Sequence, residues 1–264
     1  MATASFLHSG LPANCISPNI MTEADLEEYP GMAGTGFIAR REDTLFYITA
    51  RHCLTKDHRV DIGALAGRLH IPFSLQGETV KSSDYVQFEH AISLKHQSED
   101  LPGELIDLLV LNIATPSNQK QRKHLLSRAV KLPPSGQWLD GFFNLPVVQD
   151  GINKGKGPKF TAIGYPKEGT SSEIFYPEQE GEKLNIHTQP AKIHGYLAQG
   201  AYPDRYQLTG VTWQHDLNGF SGSPVFVAYK NENGHQYGLA GMMVTGGNSM
   251  AQFIKISVIT PATQ

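Results

Sequence analysis

Glycine and proline recur so often along this chain that no regular segment can run long: there are 26 glycines and 16 prolines in 264 residues. Together they make up about 16% of the chain, against a usual 12% or so. That punctuation disfavours a helical bundle and favours many short strands joined by tight turns. The apolar runs agree. They are short, such as Leu108–Ile113, and far below the roughly 18 residues needed to cross a bilayer. Apolar residues are 40% before glycine is counted, enough to bury a real core. Charged residues are only 18%, and the net charge of −3 supplies no general attraction to nucleic acid or an anionic membrane. Neither is expected as a partner.

The opening residues MATASFLHSGLPANC lack a basic start followed by an apolar block. No secretory signal is therefore read, and a cytoplasmic location is expected, with secretion left open for a trimmed start. The two cysteines, Cys15 and Cys53, are too few for a disulfide scaffold and are read as free thiols, which suits a reducing compartment. Cys15 is placed in a flexible lead.

Residues 1–30 show no sustained period and are read as an N-terminal lead, with a short helix at Thr22–Glu28 capped by Thr22. From Gly31 the pattern is strand, turn at Arg41–Asp43, strand, then a short helical turn. Further strands are expected at Gly67–Pro72, Tyr85–Leu94 and Ile106–Ile113. Residues 117–136 are polar and basic, with a Pro-Pro pair, and read as a solvated connector between two halves, 31–116 and 137–264. Beyond Leu145, strands are expected at Lys159–Tyr165, Lys183–Leu197, Tyr206–Trp213, Pro224–Tyr229, Gly238–Thr245 and Gln252–Ile256. Turns are expected at Pro166–Gly169, Pro177–Gly181 and Asn231–Gly234. The result is an all-β chain in two halves.

Three segments carry chemistry. Thr49-Ala50-Arg51-His52-Cys53 follows an apolar strand. Ile106–Leu111 holds one acid, Asp107, inside an apolar run. Gly219-Phe220-Ser221-Gly222-Ser223-Pro224 surrounds a serine with glycines. Singly, each reads as well as a structural histidine, a loop-capping acid or a plain turn. Together they fit one mechanism. A serine hydroxyl needs a base within reach. His52 can be that base, since an unperturbed histidine titrates near 6.5, and a shielded Asp107 would orient it. Glycines beside Ser221 let the backbone turn the N–H groups of Gly219 and Ser221 outward, toward a developing oxyanion. No His-Glu-x-x-His or paired-cysteine spacing occurs, so no metal or other cofactor is expected.

The ordered set Thr-Ala-x-His-Cys, Asp-Leu-Leu-Val and Gly-x-Ser-Gly-Ser-Pro resembles the chymotrypsin/trypsin-like serine endopeptidases. Gly34-Thr35-Gly36-Phe37, Gly164-Tyr165-Pro166 and the Gly241–Gly247 strand are similar to the bacterial branch that includes the glutamyl endopeptidases. The resemblance spans about residues 31–258 and implies two antiparallel six-stranded β-barrels with the active site in the cleft between them. His52 and Asp107 would come from the first barrel and Ser221 from the second, in an acyl-enzyme mechanism. Val244, Thr245 and Gly246 would pair with a protein or peptide substrate as an added strand.

The chain also departs from that family. Phe220 stands where trypsin-type zymogens place an acid, so activation by an ion pair with a new N-terminus is not expected. Cys53 has no partner in Met32-Ala33-Gly34. The specificity pocket is open to three readings. Met243 suggests an apolar wall, Asp216 would accept a basic side chain, and His215 would favour an acidic one. A protease of narrow specificity, or one switched on by a partner protein, is the leading expectation. A protease fold kept as a silent protein-binding module is the alternative.

Overall fold

In the computed structural model, residues 6–23, 26–55, 61–73, 85–96, 103–154, 157–171, 173–175, 185–200, 202–231, 234–247 and 250–264 are described. The first half is built from β1 (Ile16–Glu23), β2 (Leu26–Arg41), β3 (Thr44–Thr49), helix α1 (Ile62–Arg68), β4 (Leu69–His70), β5 (Phe88–Lys95) and β6 (Leu105–Ile113). Helix α2 (Gln119–Arg128), β7 (Val130–Lys131), α3 (Trp138–Phe143) and α4 (Pro146–Asn153) follow. The second half holds β8 (Lys159–Gly164), β9 (Glu173–Phe175), β10 (Asn185–His187), β11 (Ala191–Gln199), β12 (Arg205–Thr209), β13 (Pro224–Asn231), β14 (Gly234–Gly247) and β15 (Met250–Lys255), ending in α5 (Ile256–Ile259).

The second half is a closed six-stranded antiparallel barrel in the order β11-β12-β15-β14-β13-β8. The first half runs β4-β1-β2-β3-β6-β5, with β7 added in parallel against β2. Its two edges meet at one point, where Pro72 bridges Tyr85 and the Val86 N–H donates to the Ile71 carbonyl at 2.8 Å. The expected pair of six-stranded barrels is thus one complete barrel and one curled seven-stranded sheet joined by that bridge.

Strand alternation explains the continuous apolar run of β6. Ile106, Leu108 and Val110 join the core shared with the second barrel, while Leu109 and Leu111 fill the first barrel's own interior. Both faces are buried, so no polar alternation appears. β3 behaves alike, with Phe46 and Ile48 on the shared side and Leu45 and Tyr47 inside. One core therefore runs through the junction and keeps the two halves in register with each other.

Several sequence expectations are corrected. The helix at Thr22–Glu28 is absent. β1 ends at Glu23, which pairs with Leu26 of β2, and the Thr22 hydroxyl donates to the Arg68 carbonyl at 3.4 Å instead of capping a helix. Tertiary pairing outweighs the local cap signal here. The lead is also shorter than 1–30, because β1 belongs to the first sheet from Ile16. Cys15 is fully buried rather than flexible. The strand expected at Gly67–Pro72 is shortened: Gly67 and Arg68 close α1, whose first N–H groups are capped by the Asp61 carboxylate, Leu69–His70 form β4, and Pro72 makes an isolated bridge to Tyr85. The connector 117–136 is structured: Asn118 caps α2 and β7 pairs with Ala39 and Arg40. Arg128 is buried there and donates to the carbonyls of Asn14, Ile16, Pro72 and Phe73, which fastens α2 to the first sheet. Residues 146–153 are helical, so strand structure resumes only at Lys159. The strand expected over Lys183–Leu197 is split into β10 and β11, and that over Tyr206–Trp213 ends at Thr209. The turn at Pro177–Gly181 lies outside the described residues.

The chain's start spans both halves. Phe6 packs on Trp138 with ring centroids 5.4 Å apart, and His8 exchanges two backbone hydrogen bonds with Tyr237 of β14. Eight residues later the chain enters β1 on the other half. Burial, then Lys131 and Arg40, lower the pKa of His8 below its usual 6.5. The folded strap therefore favours neutral imidazole. Its docking is fully stable above that ordinary value and is lost as pH falls through the lowered one. The protection of the amides over residues 6–12, taken relative to each amide's intrinsic exchange rate at the same pH, should fall between pH 7 and pH 5 in the native protein and stay flat across that range in His8→Phe. Equal pH dependence in both proteins would rule out this role for His8.

Candidate active site

Register brings His52 to Asp107. Thr49 of β3 pairs with Leu109 of β6. The strands are antiparallel, so two residues onward along β3 lie opposite two residues backward along β6. Asp107 thus shares the face of Leu109 and Leu111 but sits at the rim, where β3 ends in the 3-10 turn Arg51–Cys53. The Asp107 carboxylate accepts the His52 backbone N–H at 2.9 Å and meets the His52 ring Nδ1 at 2.6 Å. One carboxylate thereby fixes both the turn and the ring. Arg51, buried beside it, donates to the Ser93 hydroxyl of β5 at 3.0 Å, which ties the turn to the sheet edge.

The Asp107 hydrogen bond is also the main reason the His52 pKa is pushed up to about 10. Cys53 adds to that rise and burial opposes it. The ring is half-exposed, so its contribution to stability is small. That contribution is complete below the ordinary value of 6.5 and fades as pH rises toward about 10.

Ser221 sits in the turn before β13. Phe220 N–H donates to the Leu217 carbonyl and Ser223 N–H to the Phe220 carbonyl, while Gly222 N–H reaches the Met243 carbonyl of β14 at 2.7 Å. Gly219 and Gly222 have φ of 93° and 87°, a region that side chains strain to enter. A Cβ at Gly222 would also overlap the Thr35 carbonyl. A trans peptide points its C=O and N–H in opposite directions. The Asn218 carbonyl is held by Lys167 N–H at 2.9 Å and the Phe220 carbonyl by Ser223 N–H at 2.9 Å, so the N–H groups of Gly219 and Ser221 face away from those contacts. Among the described residues neither has an acceptor.

Thr35 joins the two halves at this point. Its N–H donates to the Ser221 carbonyl at 2.9 Å, and its hydroxyl donates to the Gly219 carbonyl at 2.8 Å while accepting from Tyr165 N–H at 2.8 Å. Thr35 is fully buried. The sequence displayed it within Gly-Thr-Gly-Phe, but nothing local reveals that the hydroxyl reaches the opposite barrel. Thr35→Val keeps the shape and removes both hydroxyl bonds. Each buried group left without a partner costs about 1–3 kcal/mol. The urea unfolding midpoint should therefore fall markedly, and an unchanged midpoint would refute the clamp.

Ser221 Oγ donates to the Val244 carbonyl at 3.1 Å, not to His52. Cys53 is near both residues: its Sγ is 3.7 Å from His52 Nε2 and 3.7 Å from the Ser221 carbonyl. The free cysteine faces Gly34, where a Cβ would come within 2.7 Å of Sγ.

The residues read as a specificity pocket scatter. Met243 is sealed in the core, Val244 is buried, and Thr245 and Gly246 are exposed. Pairing of β14 with β13 ends at Met242–Pro224, so Val244–Gly246 present an edge that no described strand occupies. His215 and Asp216 are exposed. His215 packs toward Gly169 and lies 4.0 Å from Glu168, and Trp213 donates to the Asp216 carbonyl at 3.3 Å. Phe220 is fully buried, edge-on to Trp213. Among the described residues no group of three or more His, Cys, Asp or Glu could hold a metal ion, and no helix is long and apolar enough to cross a membrane.

A closed six-stranded barrel and a curled seven-stranded sheet meet at this cluster, an all-β arrangement in two halves. Among solved structures, the one titled as the atomic-resolution structure of HBP is similar over 97% of this chain and 92% of that chain, at 12% identity and a TM-score of 0.49. No family model matches the sequence, and no curated protein matches it.

Proposed function

We propose that the chain is a serine endopeptidase in which Ser221 attacks the peptide carbonyl, His52 moves the proton and Asp107 orients His52. The observation that carries this reading is the doubly bonded His52–Asp107 pair beside a serine turn that Thr35 fastens to the first half and whose Gly219 and Ser221 N–H groups have no acceptor among the described residues. Those two N–H groups would stabilise the oxyanion, a contribution of about 3 kcal/mol for each donor. A peptide would lie along Val244–Gly246 as an added strand. Hydrolysis needs the Ser221 hydroxyl to turn from the Val244 carbonyl toward His52 Nε2. Catalytic hydrogen bonds often tighten only with substrate bound.

The parked hydroxyl fits an enzyme of narrow specificity or one activated on demand, by a partner protein or by the substrate itself. Two free thiols are in keeping with a reducing compartment. Nothing in the pocket favours the glutamyl branch, since Met243 is buried and His215 faces Glu168.

The same parked hydroxyl favours a second reading, a protease fold that binds peptides without cleaving them. A small fluorophosphonate separates the two. Hydrolase chemistry gives an adduct on Ser221, read by mass on the peptide that contains it. Absence of the adduct with and without added peptides would leave the binding reading.

A further inference from the structure

We propose that Leu217 fills the recess beside Ser221 and restricts the residue donating the cleaved carbonyl to glycine, alanine or serine. This rests on the hydrolase reading. Ser221 Oγ touches the Val244 carbonyl, so a peptide extended along Val244–Gly246 places the attacked residue next to Val244. Its side chain then enters the space between that strand and the segment from His215 to Phe220.

Neither polar candidate makes a polar contact with Val244–Gly246 among the described residues. His215 is exposed and turned to Gly169 and Glu168, and Asp216 is exposed. Met243 belongs to the core at 1% exposure. What faces Gly246 is Leu217. A Cβ built on Gly246 would overlap Leu217 Cδ1 and come within 3.1 Å of Leu217 Cβ, so the leucine rests directly on the bare Cα of that residue. Leu217 is itself 7% exposed, and its carbonyl is fixed by Phe220 N–H at 3.1 Å. The buried side chain thus lies against the strand wall at Gly246.

A large residue would have to displace Leu217 from Gly246. A charged residue would lose water against Leu217 and Val244 without gaining a partner. A small residue needs neither. Each extra methylene that a hydrophobic site cannot house is worth roughly 10–200-fold in discrimination.

The test uses peptidyl phosphonate esters that share one upstream sequence and end in an alanine-type, phenylalanine-type, arginine-type or glutamate-type residue. A small fluorophosphonate without a side chain is the reference. On the full-length protein the alanine-type ester should label Ser221 at least ~10-fold faster than each of the others. In Leu217→Gly the alanine-to-phenylalanine ratio should fall by ~10-fold or more. Leu217→Ala should move it the same way by less, and serves if the glycine variant does not fold. Equal labelling by alanine- and phenylalanine-type esters in the native protein overturns the inference, as does a ratio unmoved in a folded Leu217 variant. In both cases fluorophosphonate labelling would leave the hydrolase reading standing. No labelling by any reagent overturns that reading and this inference with it.

Discussion

Replacing Ser221 by alanine is expected to lower peptide hydrolysis by on the order of 10⁶-fold, while the fold stays intact. Removing the nucleophile from a serine–histidine–carboxylate arrangement costs about that much, because the remaining groups act only in concert with it. On the proposed reading, binding along Val244–Gly246 and the two backbone donors at Gly219 and Ser221 would survive, and these alone give some 10³–10⁴-fold over water. Stability should barely change. The Ser221 side chain makes a single hydrogen bond, to the Val244 carbonyl, worth about 1 kcal/mol. The turn is held by backbone contacts that alanine keeps: Thr35 N–H to the residue-221 carbonyl, and Gly222 N–H to the Met243 carbonyl. Steady-state kinetics and a urea unfolding curve on the same preparation check both halves. Undiminished cleavage by a folded Ser221→Ala protein would remove Ser221 from the mechanism.

Asp107→Asn carries the second large effect, and its signature is a pH profile. The base must be neutral to accept the serine proton, and the Asp107 hydrogen bond is the first cause holding the His52 pKa up at about 10. In the native protein kcat/KM should therefore climb about tenfold per pH unit below that value and level off near it. Asparagine removes the charge and offers the wrong hydrogen-bonding partner for the needed tautomer. The rising limb should move down toward the ordinary histidine value of 6.5, and the plateau should drop by about 10⁴-fold. Measuring both proteins across the full range separates the two effects. An unmoved limb with a lowered plateau would mean that Asp107 does not set the histidine's proton affinity.

Much of this arrangement was legible before any coordinates. The turn after Arg41, the buried run of β6 and the strands around Ser221 follow from glycine spacing and apolar pattern. The Ser221 turn announces itself because Gly219 and Gly222 stand where φ is positive. The misreadings share a cause. Thr22–Glu28 has a good local helix signal, yet pairing of β1 with β2 prevails. Residues 117–136 look solvated, yet Arg128 finds four backbone carbonyls from distant segments. A cation surrounded by carbonyls leaves no mark in its own neighbourhood of the sequence.

The available chemistry is written in the residue types: a histidine at a strand end, an acid at a buried strand's rim and a serine between glycines. Residue type and local spacing suffice for that. How these groups stand toward one another comes from the folded chain. It placed Thr35 across the junction, turned the Ser221 hydroxyl to Val244, set Cys53 against the Ser221 carbonyl and laid Leu217 on Gly246. Each of these is a contact of a few ångströms between residues far apart in the chain. Such contacts are set by barrel closure and by the core the two halves share, and no local pattern records them.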